Sequence, residues 1–395
     1  TNKPAENTGV LLYQAETFTD TSFQKEKPFY YAISNSSGNF QFKYLRAGSY
    51  KVFALKDENF NIRYDPPGEN IGYLDSTIQL DAESIITLNL KVFNNKSSPK
   101  VNFYSIDNQN IITIEFNQSI NTIELLKTDG LEEQTDKIWN ENRDSLKLYY
   151  KFVSKERPEI NIKIGDNEPD TLKLKSKIFT EDSIKNLEAI WTPISKGTKS
   201  LDLGKPIFLD FERAIQLPKE GIYLYEDSFA REKDFRLEID PLKPERLLVH
   251  SKFKPETQYD IVVTDSSVQD YYGIKNKAFK LNYKSNSLED YGNLYYRLTE
   301  LDPSEQYVLE VLREGNLFER HIINNQVRFE KEWKLLSPGK LQFRIILDKD
   351  RNKVWTTGDI EQKTQPEPIY VYPDEVNIRG NWDLEVEDKP NFSIH

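Results

Sequence analysis

The chain has 395 residues, with 64 acidic against 53 basic side chains and a formal charge of −11. At roughly 100–150 residues per domain this length predicts three or four domains, and lysines interleaved among acids in nearly every segment exclude the clustered basic face that nucleic acid needs. An acidic surface is also repelled by anionic lipid, and no apolar run approaches the roughly 18–20 residues of a membrane-spanning helix.

There is no cysteine and no methionine. The first absence removes disulfides and thiolate metal sites from these residues. The second, with Thr1 at the start, leads us to expect that an N-terminal signal or lipid-anchor segment was removed upstream.

Apolar residues alternate with polar ones almost throughout, the period of half-buried antiparallel strands. In the first block, residues 1–96, strands are predicted at Val10–Tyr13, at Tyr30–Ile33 turning through Ser36-Ser37-Gly38-Asn39 into Phe40–Phe42, at Gly48–Leu55 and at Ile85–Phe93. Asn94 to Pro99 reads as a linker. The second block, 97–178, has Ile112, Ile114 and Phe116 on one face. It continues with Leu146–Leu148, Ile160–Ile164 and Leu172–Lys175, whose opposite face carries lysine or asparagine. The third block, 179–285, carries strands at Lys205–Phe211, Arg246–His250, Thr257–Val263 and around Phe279–Tyr283. The fourth, 286–395, has them near Tyr307–Leu312, Val327–Phe329 and Leu341–Leu347. Helix is confined to two turns at Ser183–Ile190 and one at Asp302–Tyr307. The fold class that follows is all-β, a tandem array of antiparallel β-sandwich domains, Ig-like and prealbumin-like, laid out as an elongated row.

An internal echo joins the two ends. Leu45-x-x-Gly48 matches Leu336-x-x-Gly339, and Asp57-x-Asn59-x-Asn61-x-x-Tyr64 matches Asp348-x-Asp350-x-Asn352-x-x-Trp355, at a constant offset of 291. Both end blocks are therefore expected to be the same kind of domain.

The run Gly38-Asn39-Phe40-Gln41-Phe42, followed by Leu45-Arg46-Ala47-Gly48-Ser49-Tyr50-Lys51-Val52, resembles the core of carboxypeptidase-regulatory-like (prealbumin-like) β-sandwiches. Pro206–Phe211, with Lys254-Pro255-Glu256-Thr257-Gln258-Tyr259 and Asp270-Tyr271-Tyr272-Gly273, resembles S-layer-type Ig-like domains, although Phe253 and Lys254 stand where that pattern has leucine. The arrangement is similar to Ig-like-domain lipoproteins of the Bacteroidota outer membrane. That resemblance implies a first domain whose opening strand lies upstream of Thr1, an upstream lipid anchor, and an extracytoplasmic place at the outer membrane or cell surface. It also implies a non-enzymatic scaffold with outer-membrane protein partners, as an accessory subunit of an export or assembly complex. A carbohydrate-binding or adhesive surface module is the alternative.

Two loops are candidate Ca²⁺ sites. Asp348, Asp350, Asn352 and Asp359 form the better set, and Asp57, Asn59, Asn61 and Asp65 the other, because alternate oxygens can converge on a hard cation. Neither has a glutamate at the twelfth position, which is Asp359 or Gly68, nor glycine at the sharp turn, taken by Lys353 and Ile62. An Asx-rich turn capping its own backbone explains the same residues. His250, His321 and His395 are scattered, and no nucleophile motif or phosphate loop is present. Trp191, Trp333, Trp355, Trp382 and the Tyr271-Tyr272 pair are either core plugs or a sugar-stacking surface. Ile369-Tyr370-Val371-Tyr372, bracketed by prolines, reads as an extended segment in which Tyr370 and Tyr372 contact a protein partner or their own domain.

Overall fold

Residues 4–392 are described by a computed structural model, apart from 67, 82–84, 96, 186, 188–197 and 228–230. Trp191 and His395 lie outside the described residues, as does most of the turn expected at Ser183–Ile190, of which Glu181–Ile184 is helical. Among the described residues the strand periodicity of the sequence is realised as seven sheets, almost wholly antiparallel. Buried clusters fall between Val10 and Phe93, Ile112 and Leu174, Leu201 and Tyr283, and Leu294 and Ile378, so each sandwich draws its core from its own stretch of chain. One residue breaks that rule. Ile360, from the last stretch, is buried in the first core.

The second domain packs the sheet of strands Val101–Ile106, Ile111–Phe116, Ser145–Val153 and Leu131–Trp139 on the sheet of Ile123–Asp129, Glu159–Ile164 and Asp170–Lys173. Ile112, Ile114, Leu146, Leu148, Ile160 and Ile162 fill the space between them. Each such side chain contributes roughly 1.5–3 kcal/mol by leaving water. The third and fourth domains repeat the two-layer plan with a five-stranded and a three-stranded sheet each. In the fourth, strands Gln306–Arg313 and Asn316–Asn324 are joined by Glu314-Gly315, both at positive φ (51° and 81°). That turn matches the twist of the flanking strands and sets their register.

The first domain differs. Among the described residues it has one six-stranded sheet, so the two end domains, expected to be the same kind, share their Asp/Asn loop but not their sheet plan. Both faces of that sheet's centre are buried. This accounts for the unbroken run Val10-Leu11-Leu12-Tyr13, since Val10 and Leu12 pack on one side while Leu11 and Tyr13 pack on the other. Phe40–Phe42 and Ile85–Val92, expected as strands, form no ladder among the described residues. The Asn35 side chain does accept from the backbone of Ser37 and Asn39, so the turn forms, but its outgoing arm lies over the sheet face rather than beside an edge. Phe40, Phe42, Leu88 and Leu90 cover Val10, Leu12, Tyr50 and Val52 with side chains alone.

The elongated row is also revised, because the domains close on one another. Tyr272 of the third domain packs against Phe179 and Phe152 beside the second, with ring centroids 5.3 and 6.4 Å away. Tyr291 Oη accepts from Leu203 N–H at 2.9 Å where the third domain meets the fourth. Arg320 of the fourth domain donates to Glu141 O and Asn142 Oδ1 of the second. The fourth domain then reaches the first.

Candidate functional site

The 291-residue echo is a structural equivalence at the level of single hydrogen bonds. Asp57 accepts from Asn61 N–H through Oδ1 (3.3 Å) and from Ile62 N–H through Oδ2 (2.7 Å). Asp348 accepts from Asn352 and Lys353 in the same way, at 3.1 and 2.9 Å. Asn61 Oδ1 takes Arg63 N–H at 2.7 Å, and Asn352 Oδ1 takes Val354 N–H at 2.8 Å. The amide nitrogen of Asn61 donates to Asp65, and that of Asn352 to Thr356. Phe60 and Ile62 are left-handed (φ 62° and 61°), as are Arg351 and Lys353 (58° and 70°). Non-glycine residues in that region cost about 1–3 kcal/mol each, which the loop's own hydrogen bonds offset.

A glutamate closes each loop. Glu69 accepts from Glu58 N–H and Asp65 N–H, both at 2.9 Å. Glu367 accepts from Lys349 N–H at 2.7 Å, Asp350 N–H at 3.3 Å and Thr356 N–H at 2.9 Å. Both carboxylates are buried, and burial pushes Glu367 above its usual range while the backbone amides pull it down. Neither glutamate was read from the sequence as part of its loop.

Asp348, Asp350 and Glu367 have carboxylate oxygens within 4.8 Å of one another. Asp359, assigned to this set from the sequence, is not among them; it caps its own turn by accepting from Glu361 and Gln362 N–H. Asn352 is tied on both sides of its amide. In the first loop Asp57, Asn59, Asn61 and Asp65 are joined by mutual hydrogen bonds, and Asp65 takes both amides at 2.6 Å. The oxygens a cation would need are accepting amide hydrogens in both loops, the arrangement of an Asx-rich turn.

The two loops diverge where the second becomes longer. Glu69 follows Asp57 by twelve residues, whereas Glu367 follows Asp348 by nineteen. The extra length is a latch onto the first domain. Thr357 Oγ1 donates to Asn94 O at 2.5 Å, and Ile360 N–H to Asn95 Oδ1 at 2.7 Å. Gln365 Nε2 donates to Tyr73 O and Asp75 Oδ1, and Lys363 pairs with Asp20 at 3.0 Å. Ile360 enters the cluster of Leu11, Phe23, Phe53, Tyr64 and Phe93. Gly358 permits this approach, since a Cβ there would meet the Phe93 ring at 2.6 Å.

Tyr370 and Tyr372 do not stand out for a partner. Residues 369–371 pair with the strand Gly339–Leu347, both rings pack against the fourth core, and Tyr370 Oη donates to Asp388 Oδ1 at 2.9 Å. His250 and His321 sit in different domains, each beside one glutamate. Trp333 is core, Tyr272 plugs a domain junction, and Trp355 and Trp382 are exposed. Exposed apolar side chains gather instead in the first domain. Tyr30–Ile33 is an edge strand paired only with Gly9–Gln14 among the described residues, and it turns Tyr31 and Ile33 outward. Edges are usually blunted by charge or proline. This one is not.

No family model and no curated protein matches this sequence. Among solved structures, the chain is similar to dimeric latent PorU from Porphyromonas gingivalis at 8% identity and a TM-score of 0.26, over 77% of this chain and only 36% of that one. It is similar to BcpA, the major pilin subunit of Bacillus cereus, at 12% identity over 100% and 97% of the two chains, with a TM-score of 0.16. SGBP-B of Bacteroides ovatus, in complex with a mixed-linkage heptasaccharide, gives 10% identity over 96% and 89%, with a TM-score of 0.20. At these values the tandem β-sandwich fold rests on the sheets and cores described above.

Proposed function

We propose that the chain is a non-enzymatic structural module of a bacterial extracytoplasmic surface, holding protein partners on a platform of β-sandwiches. The observation that carries this reading is the uncharged edge strand Tyr30–Ile33, with Tyr31 and Ile33 exposed. A partner strand can add to such an edge through main-chain hydrogen bonds while alternate side chains give specificity. The contacts from the fourth domain to the first support a platform role, because they hold the edge at a set position relative to the other domains.

The finer reading is an outer-membrane lipoprotein that serves as an accessory subunit of a protein export or assembly complex. It draws on the resemblance of Gly38–Val52 to carboxypeptidase-regulatory-like domains and of Pro206–Phe211 with Lys254–Gly273 to S-layer-type Ig-like domains, an arrangement similar to Ig-like-domain lipoproteins of Bacteroidota. Purification from native membranes in mild detergent tests both levels. An outer-membrane protein should co-elute with the wild-type chain, and Tyr31→Lys with Ile33→Lys should release it while the melting curve is retained. A wild-type chain that elutes alone overturns the platform reading. Retention of the partner by the double variant moves the contact away from this edge.

A further inference from the structure

Where the first, second and fourth domains meet, they enclose an open cavity of about 740 Å³. This lies within the roughly 300–1,000 Å³ of ligand sites. Its lining is unusually rich in amides. Asn94, Gln118 and Asn121 make no side-chain hydrogen bond among the described residues, and Asn142 uses only its oxygen, to accept from Arg320. The Ser119 hydroxyl, on the same wall, is shielded from solvent and has no hydrogen-bond partner. Amides both donate and accept, so a wall of them matches a ligand that presents many hydroxyl groups.

Trp355 supplies the apolar surface. It occupies the repeat position of Tyr64, yet Tyr64 is 1% exposed and Trp355 is 39% exposed. Its indole N–H donates to Glu367 O at 3.0 Å, which sets the ring's orientation. A tethered ring facing open space is a stacking surface, with an electron-rich face suited to the C–H edge of a sugar ring.

The charges narrow the ligand further. Arg320 and Arg344 both pair with the buried Glu310, so neither guanidinium is held out for an anion. Asp144, Asp166 and Asp350 on the lining oppose phosphate, sulfate or uronate. We infer that this cavity binds a neutral oligosaccharide, with Trp355 as the stacking platform and Gln118, Asn121 and Asn142 as partners for sugar hydroxyls. The site is separate from the edge strand Tyr30–Ile33 and does not depend on the platform reading.

The test is an array of neutral and acidic glycans probed with the full chain, followed by calorimetry on the neutral oligosaccharides retained. Wild-type protein should retain neutral glycans and leave acidic ones. Trp355→Ala should weaken binding at least about tenfold. Because that change could also loosen the loop, Gln118→Ala with Asn121→Ala, both outside it, serves as the second variant; it should weaken binding severalfold with an unchanged melting curve. A wild-type chain that retains no neutral glycan overturns the inference, as does binding that survives both variants or is confined to acidic glycans. Partner capture from membranes reads the platform role alone, so failure of one experiment leaves the other standing.

Discussion

The Asp/Asn loops of the first and fourth domains share their backbone turns, their internal hydrogen bonds and a closing glutamate, yet one ends there and the other continues into a neighbouring domain. Glu69 binds two amides of a loop that returns directly to its sheet, at Asn70–Tyr73. Glu367 binds three amides around an excursion whose tip, Ile360, is buried in another core. A loop clamped at its base tolerates an insertion because the clamp, rather than the inserted residues, holds the local fold. Added length costs little in closure entropy, so a surface excursion can acquire a new contact without disturbing its parent domain.

The comparison is sharpest at the clamps. Each buried amide left without its acceptor costs about 1–3 kcal/mol, and Glu367 holds three against two for Glu69. Glu367→Ala should therefore destabilise most, and Glu69→Ala, with fewer amides to release, should destabilise less. Denaturant unfolding of the two variants measures both, and negligible losses in both would mean that neither glutamate clamps its loop. Ile360→Ala comes next, at about 2–5 kcal/mol for a buried large-to-small change. Its signature is location: hydrogen exchange should speed at Leu11, Phe53 and Ile71 of the first domain while the strands around Phe343 stay protected. Loss of protection in the fourth domain instead would mean that the latch is a prop for its own loop.

A smaller effect concerns pH at Glu367. Burial raises the Glu367 carboxyl from its ordinary 4.5, so the folded state holds this proton more tightly than the unfolded state does. Its contribution is fully present below 4.5 and is lost as pH rises through the folded value. Wild type should therefore gain on Glu367→Gln as pH falls through that window. A gap that moves the other way in paired melts would reverse the assigned shift. The smallest effect concerns cations. With the carboxylate oxygens of Asp348 and Glu367 accepting from backbone amides, melts in millimolar Ca²⁺ and in chelator should nearly coincide. A rise of several degrees, abolished by Asp350→Ala, would show that the loop exchanges its amide hydrogen bonds for a metal ion.

Much of this architecture is legible in the alternation and spacing of the residues. Alternation at Ile112, Ile114 and Phe116, or at Leu341, Phe343 and Ile345, places side chains on one face of a strand wherever that strand ends up. The repeated Asp-x-Asn/Asp-x-Asn spacing predicts equivalent turns because short side chains bond to backbone two to five residues away. Glu69 and Glu367 are not legible in this way, since they lie past the aligned stretch, at unequal distances from the repeated aspartates. Their signal is an acidic residue shortly after each loop, which counting at constant offset cannot reveal. Asp359 falls into the loop's expected set for the opposite reason: a position counted along the chain lands inside the inserted excursion. Ile360, a lone large apolar residue in the polar run Thr356–Gln365, is the one visible sign of the latch.

By itself, then, the sequence determined the all-β class, the equivalence of the two Asp/Asn turns and the chemistry inside them, all of which depend on dihedral preferences and bonds spanning a few residues. Tertiary structure decided which copy of the loop reaches a neighbour, why Tyr64 is buried while its counterpart Trp355 is exposed, and that the row of domains closes. Those outcomes depend on groups brought together across the chain, as when Thr357 meets Asn94 and Gln365 meets Tyr73. Whether such a side chain is buried is set by the free energy of the whole contact surface, to which residues adjacent in sequence contribute little.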